Sequence, residues 1–225
     1  MRLSRRVMSA SPSATLATKA EADRLRAAGA DLVDLGLGEP DFDTPEHVKE
    51  AAREAMRRNQ THYTSVEGMP ALRRAIVERY RIRYGASFDV DHVLVGSGAK
   101  GVLYAVIQAL VDEGDEVVVF APYWPSYPEQ VRLAGGTPMI VSTDEASGFL
   151  PSAAALEARL SPRTRAVIVN SPCNPTGVVY DRSELEALAD VVLEGNAGIL
   201  SDEIYEQLCY DDARPTCIAT LRPEL

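Results

Sequence analysis

An alternation of segment types between residues 90 and 201 constrains the fold of this chain most. Short apolar runs suited to strands occupy residues 92–95, 116–120, 137–141, 165–169 and 198–200. Segments with helical spacing, 103–111, 125–133, 152–160 and 182–193, stand between them. Strands separated by helices cannot pair as hairpins; the chain returns to its starting edge before each new strand, so neighbours run parallel. The run Glu116-Val-Val-Val-Phe120 is apolar on both of its alternating faces, as expected of a strand covered by helices on both sides. The expected fold class is therefore α/β, a three-layer, mostly parallel, doubly wound sheet.

The chain ahead of this region reads differently. Residues 13–28 have helical periodicity and stop at Gly29, a good C′ residue. Residues 31–37 alternate like a short strand, and Gly38-Glu-Pro-Asp-Phe-Asp reads as a loop. Thr44-Pro45-Glu46 predicts a helix start, with the Thr44 hydroxyl as N-cap and Pro45 in the first turn, running to about Arg58. Residues 61–67 are irregular and carry Tyr63, and a further helix runs from Pro70 to about Tyr84, closed by Gly85.

Composition narrows the partners. The chain is 46% hydrophobic and 25% charged, globular values. It has no apolar run of roughly 18 residues, so no membrane span is expected. Met1-Arg-Leu-Ser-Arg-Arg is basic but no apolar stretch follows, so no signal peptide is expected either. Cys173, Cys209 and Cys217 are odd in number and lack CxxC spacing, which fits a reduced, cytoplasmic protein. A net charge of −10 argues against binding a nucleic-acid backbone. Nothing in the sequence calls for a metal. Only three lysines are present, Lys19, Lys49 and Lys100, so a catalytic lysine has few candidates.

In an open α/β sheet, ligands sit just past the carboxyl ends of the strands. Each polar cluster of this chain follows a strand. Gly98-Ala99-Lys100 opens a helix, where small residues expose backbone N–H groups and the helix dipole favours an anion; a plain tight turn is the alternative. Trp124 either packs against the core or stacks on a planar ligand. Asn174 lies between Pro172 and Pro175, as a turn former or as a rigidly held amide. Ser201-Asp202-Glu203-Ile-Tyr205 follows the last run, either as an ordinary surface loop or as a carboxylate and a phenol facing a bound ring. Together these supply an anion cradle, an aromatic slab, an amide, a carboxylate and a phenol. A flat, phosphorylated, nitrogen-containing ring would use all five.

Gly38-Glu-Pro-Asp-Phe, Gly98-Ala-Lys, Pro122-Tyr-Trp124, Asn170-Ser-Pro-Cys-Asn-Pro-Thr-Gly177 and Ser201-Asp-Glu-Ile-Tyr205 follow one another in an order that resembles the fold-type I pyridoxal-phosphate aminotransferases. The sequence looks most like the bacterial aspartate/aromatic branch, from about Ser4 onward. The resemblance implies pyridoxal 5′-phosphate (PLP) as cofactor and amino-group transfer between an amino acid and a 2-oxo acid by a ping-pong route, in amino-acid metabolism or biosynthesis. It implies that Asp202 pairs with the ring nitrogen, that Tyr205 and Asn174 hydrogen-bond the ring's phenolic oxygen, and that Trp124 stacks on the ring. Gly98, Ala99 and Lys100 match the phosphate turn, and Gly38 a glycine near the substrate carboxylate. Tyr63 matches a tyrosine that reaches the phosphate in a neighbouring subunit, implying a homodimer. Residues 1–44 would be an N-terminal arm and the start of a small domain, and 45–225 an incomplete PLP-binding large domain.

The sequence departs from the family pattern twice. Gly101 stands where glutamine is common. No lysine follows Tyr205, although the family's cofactor-bearing lysine lies beyond that motif. The chain is therefore expected to be truncated at its C-terminus and inactive alone, with apolar surface left exposed. A carbon–sulfur lyase or synthase of the same fold, and a non-catalytic fragment, are the alternative readings.

Overall fold

The computed structural model describes residues 2–11, 14–36, 38–40, 42–222 and 224. The first element, α1 (Arg5–Ser9), is capped by the Ser4 hydroxyl. The chain divides into two compact units, residues 12–69 and residues 1–11 with 70–225.

The smaller unit holds α2 (Ala14–Ala27) and α3 (Glu46–Arg57). Helix α2 ends where Gly29 takes a left-handed φ of +85°; the predicted first residue of that helix, Ser13, lies outside the described residues. Helix α3 starts at Glu46 with Pro45 as N-cap and no side-chain cap, so the Thr44 hydroxyl does not play the expected capping role. No α3 residue is buried. Its surface is laced instead by pairs such as Lys49–Glu46, Arg53–Glu50 and Arg58–Glu54, exposed contacts that each add only a few tenths of a kcal/mol. The strand expected over residues 31–37 is irregular through residue 36, and Leu37 lies outside the described residues. A strand is a property of a pair, and among the described residues this stretch pairs with no other.

The larger unit carries α4 (Pro70–Tyr84), α5 (Ala99–Leu110), α6 (Ser126–Ala134), α7 (Ala153–Glu157) and α8 (Arg182–Glu194) around a sheet of β1 (Glu116–Ala121), β2 (Thr137–Ser142), β3 (Thr164–Asn170) and β4 (Gly198–Asp202). The strands run in the order β2-β1-β3-β4, every neighbouring pair parallel. Alternation along the central strands sorts side chains onto two faces. Val117, Val119, Ala166 and Ile168 pack with Leu103, Ile107 and Val131 of α5 and α6. Val118, Phe120, Val167 and Val169 pack with Leu156, Leu185, Leu188 and Val192 of α7 and α8. Each fully buried apolar side chain of this size contributes about 1.5–3 kcal/mol, so two filled faces hold the three layers together. Helix α8 shows how sequence starts such a layer. Asp181 accepts the Glu184 N–H at 2.8 Å while Glu184 accepts the Asp181 N–H at 2.6 Å. Leu185, Leu188, Ala189 and Val192 then fall on one face.

Strand β4 runs two residues past its expected end, because Ser201 and Asp202 stay in register with Val169 and Asn170 of β3. The strand expected over residues 92–95 does not form. Residues Val90–His92 make a 3₁₀ turn, and Val93 has extended dihedrals but pairs with no strand among the described residues. Arg73 of α4 holds this segment, its guanidinium donating to the Val93 and Val90 carbonyls at 2.9 and 2.5 Å. Among the described residues no strand pairs with the outer edge of β4. An open, largely apolar cavity of about 600 Å³ lies beside that edge, bordered by Tyr80, Phe88, Leu94, Val102, Glu203 and Cys217.

Candidate functional site

The carboxyl ends of β1, β3 and β4 point the same way because the strands are parallel. The N-terminus of α5 meets them there: the Lys100 carbonyl accepts from Gln130 Nε2 at 3.0 Å, and the Lys100 ammonium lies 4.9 Å from the centre of the Trp124 ring. Gly98, the α5 N-cap, has φ +85° and ψ 146°, a combination that an L side chain rarely adopts. Gly101 differs. A Cβ there would meet nothing within 4 Å, so packing gives no reason for glycine at that position.

Asp202 ends β4 and is 7% exposed. Its Oδ2 accepts from the Tyr127 hydroxyl at 2.8 Å, and its Oδ1 accepts the Ile204 N–H at 3.2 Å. Burial and the Asp202 carboxylate both push the Tyr127 phenol far above its ordinary range, so it stays protonated and donates. The Tyr127 ring also meets Trp124 edge-on, with centroids 5.3 Å apart. Asn174 Nδ2 points at the Tyr205 hydroxyl over 3.4 Å, a long contact. Beyond Tyr205 the chain is fixed to α4 by Glu206, which accepts from Arg79 and Tyr84.

Of the residues singled out in the sequence, Gly98, Ala99, Lys100, Trp124, Asn174, Asp202 and Tyr205 all lie at this end of the sheet. Gly38 and Tyr63 belong to the smaller unit. Gly38 sits in irregular chain next to Leu37, which lies outside the described residues, and Tyr63 is fully exposed. Sequence reading missed Tyr127 and Asn170. Tyr127 is three residues after Trp124, a spacing that puts the two rings side by side. Asn170 is a lone amide closing an apolar strand, and a polar residue at such a place needs a partner.

Comparison with known proteins decides the family. The model of the family described as aminotransferase class I and II matches residues 30–225.

The chain belongs to the class I and II aminotransferases.

It is 48% identical over 225 residues to the aspartate aminotransferase of Geobacillus stearothermophilus, covering all of this chain and 57% of that protein. It is 49% identical over 222 residues to a probable aspartate/prephenate aminotransferase of Thermus aquaticus, covering 99% of this chain and 58% of the relative. Its structure superimposes on the Thermus thermophilus aspartate aminotransferase solved with maleate, with a TM-score of 0.95, at 48% identity over all of this chain and 59% of that one. The aspartate aminotransferase of Rhizobium meliloti gives the same TM-score at 39% identity, over 99% of this chain and 56% of that one. The chain thus spans just under three-fifths of the length of these relatives. Family members of this kind depend on PLP and act on amino acids and 2-oxo acids. Among the described residues no helix is long and apolar enough to cross a membrane.

The donor set fits such a cofactor. Nothing lies within 4 Å of where a Gly98 Cβ would be, and the α5 N-terminus presents backbone N–H groups of the kind that suit an anion. A half-buried indole stands beside it. The buried Asp202 carboxylate already has two donors, and each of its oxygens keeps acceptor capacity for an N–H.

Proposed function

We propose that this chain carries the PLP site of an aminotransferase that exchanges an amino group between an amino acid and a 2-oxo acid. The observation that supports it most is the buried Asp202 carboxylate at the end of β4, with donors on both oxygens. Bound PLP supplies an electron-accepting ring and a carbon that takes up and releases the amino group. In this reading Asp202 accepts the ring N–H and holds that proton in place, and the Tyr127 hydroxyl, donating to Oδ2, fixes the orientation of the carboxylate. Asn174 and Tyr205 donate to the ring's phenolic oxygen, Trp124 covers one face and excludes water from it, and the Gly98, Ala99 and Lys100 backbone holds the phosphate. Gly38 lies near the substrate carboxylate, and Tyr63 serves the phosphate of a second subunit in a homodimer. The domain reading is residues 1–44 as arm and start of a small domain, and 45–225 as cofactor domain. Relatives named for aspartate and prephenate support an acidic amino acid as donor. The free thiols support a cytoplasmic setting.

None of the three lysines is a strong candidate to carry the cofactor. Lys19 pairs with Asp23 at 3.4 Å on α2, Lys49 with Glu46 at 2.9 Å on α3, and Lys100 sits at the phosphate end. Equilibrium dialysis against PLP tests the proposal. Saturable binding by the chain and about tenfold weaker binding by Asp202→Ala are expected, a loss of about 1.4 kcal/mol. Equal binding by both would refute the assignment of Asp202. Borohydride reduction with PLP, followed by peptide mapping, is expected to leave Lys100 unmodified.

A further inference from the structure

Strand β3 ends on Asn170, 7% exposed and in register with Asp202. Its amide makes three hydrogen bonds. Nδ2 donates to the Asp202 carbonyl at 2.9 Å and to the Pro172 carbonyl at 3.1 Å, while Oδ1 accepts the Asn174 N–H at 2.8 Å. The orientation of the amide is unambiguous, since one end faces two carbonyls and the other faces an N–H. One side chain therefore ties the end of β4, which carries Asp202, to the loop that carries Asn174. Asp202 and Asn174 are not bonded to each other through their side chains; the Asp202 carboxylate accepts from Tyr127 and Ile204, and the Asn174 amide donates to Tyr205.

We propose that Asn170 is a positioning residue that sets the distance between Asp202 and Asn174, and so the fit of a ring held between them. The inference rests on the PLP reading above. The chemistry at position 170 is narrow. Two donors and one acceptor are needed in a single plane, one bond shorter than glutamine supplies. Aspartate has the shape but cannot donate, and would set the oxygen that replaces Nδ2 against the Asp202 and Pro172 carbonyls. Leucine fills the space with no polar atom, taking away the amide's bonds to the Pro172 carbonyl and the Asn174 N–H and leaving the Asp202 carbonyl only the Ser171 N–H at 3.3 Å.

The experiment compares wild type, Asn170→Ala and Asn170→Asp, each checked for native far-ultraviolet circular dichroism. Two readouts are taken: PLP affinity by equilibrium dialysis, and hydrogen exchange of the Asn174 amide by NMR without ligand. Asn170→Ala is expected to speed Asn174 exchange about tenfold or more while amides of β1 keep their protection, and to weaken PLP about tenfold. Asn170→Asp keeps the acceptor, so it should spare Asn174 exchange yet still weaken PLP, and it serves if the alanine variant does not fold. A cycle with Asn174→Ala adds the readout that a merely structural role would not move: the two affinity losses should be non-additive. Wild-type affinity within twofold in both variants, or strictly additive losses, overturns the positioning role while the PLP reading stands. No PLP binding by wild type overturns the PLP reading, and the inference with it.

Discussion

Removing the Tyr127 hydroxyl is the sharpest perturbation available at the site. Tyr127 is 2% exposed and Asp202 7%, and their 2.8 Å contact pairs a phenol with a carboxylate. In Tyr127→Phe the ring survives, so its edge-on packing against Trp124 and its apolar burial are unchanged. The variant therefore isolates the hydrogen bond. A bond to a charged acceptor contributes about 1.5–3 kcal/mol, and a buried oxygen that loses its donor is not readily rehydrated. The expected loss in unfolding free energy is about 2 kcal/mol, read from urea denaturation at pH 7 as a lower midpoint with the slope unchanged. In the Asp202→Asn background the same change should cost far less, giving a coupling energy of about 1 kcal/mol or more. A loss below about 0.5 kcal/mol for Tyr127→Phe, or additivity in the double variant, would refute the claim that this bond is strong and specific.

Other outcomes follow from the packing. Leu188→Ala, in the core between α8 and β3, should cost about 2–5 kcal/mol in the same denaturation experiment. Asp181→Ala removes one half of the α8 capping box and should cost about 1 kcal/mol, with native circular dichroism retained. Burial, and then the neighbouring Glu203 carboxylate, push the Cys217 thiol up to about 12 from an ordinary 9.0. With a thiol-specific dye at pH 8, Cys173 and Cys209 should react in the folded chain and Cys217 only after unfolding. The raised value favours the protonated form in the folded state, so this contribution to stability is complete below about pH 9 and is lost as pH rises toward 12. Cys217→Ala should flatten the alkaline limb of the stability profile.

The sheet was legible in the sequence where both faces of a strand are buried. Val117, Val118 and Val119 leave no room for another reading, and β1, β2, β3 and β4 lie within two residues of their expected limits. The expected strands over 31–37 and 92–95 rested on an alternating and on an apolar stretch, and among the described residues neither has a strand to pair with; such local patterns do not encode pairing. The N-cap of α3 moved because Pro45 occupies the capping position itself. At the site, Asp202 stood out as a carboxylate just past an apolar run, and Asn174 as an amide held between two prolines. Tyr127 and Asn170 did not, because their hydrogen-bond partners in Asp202 lie 75 and 32 residues away along the chain. No local pattern carries that information.

Trp124 is the sole tryptophan of the chain, so its fluorescence reads the central claim directly. Titration of the 225-residue chain with PLP should quench that fluorescence saturably, and pyridoxal, which lacks the phosphate, should require at least about tenfold higher concentration, a difference of about 1.4 kcal/mol for the anion site at the α5 N-terminus. Quenching that rises linearly without saturation, or that is equal for the two ligands, would contradict a PLP site at the carboxyl ends of these strands.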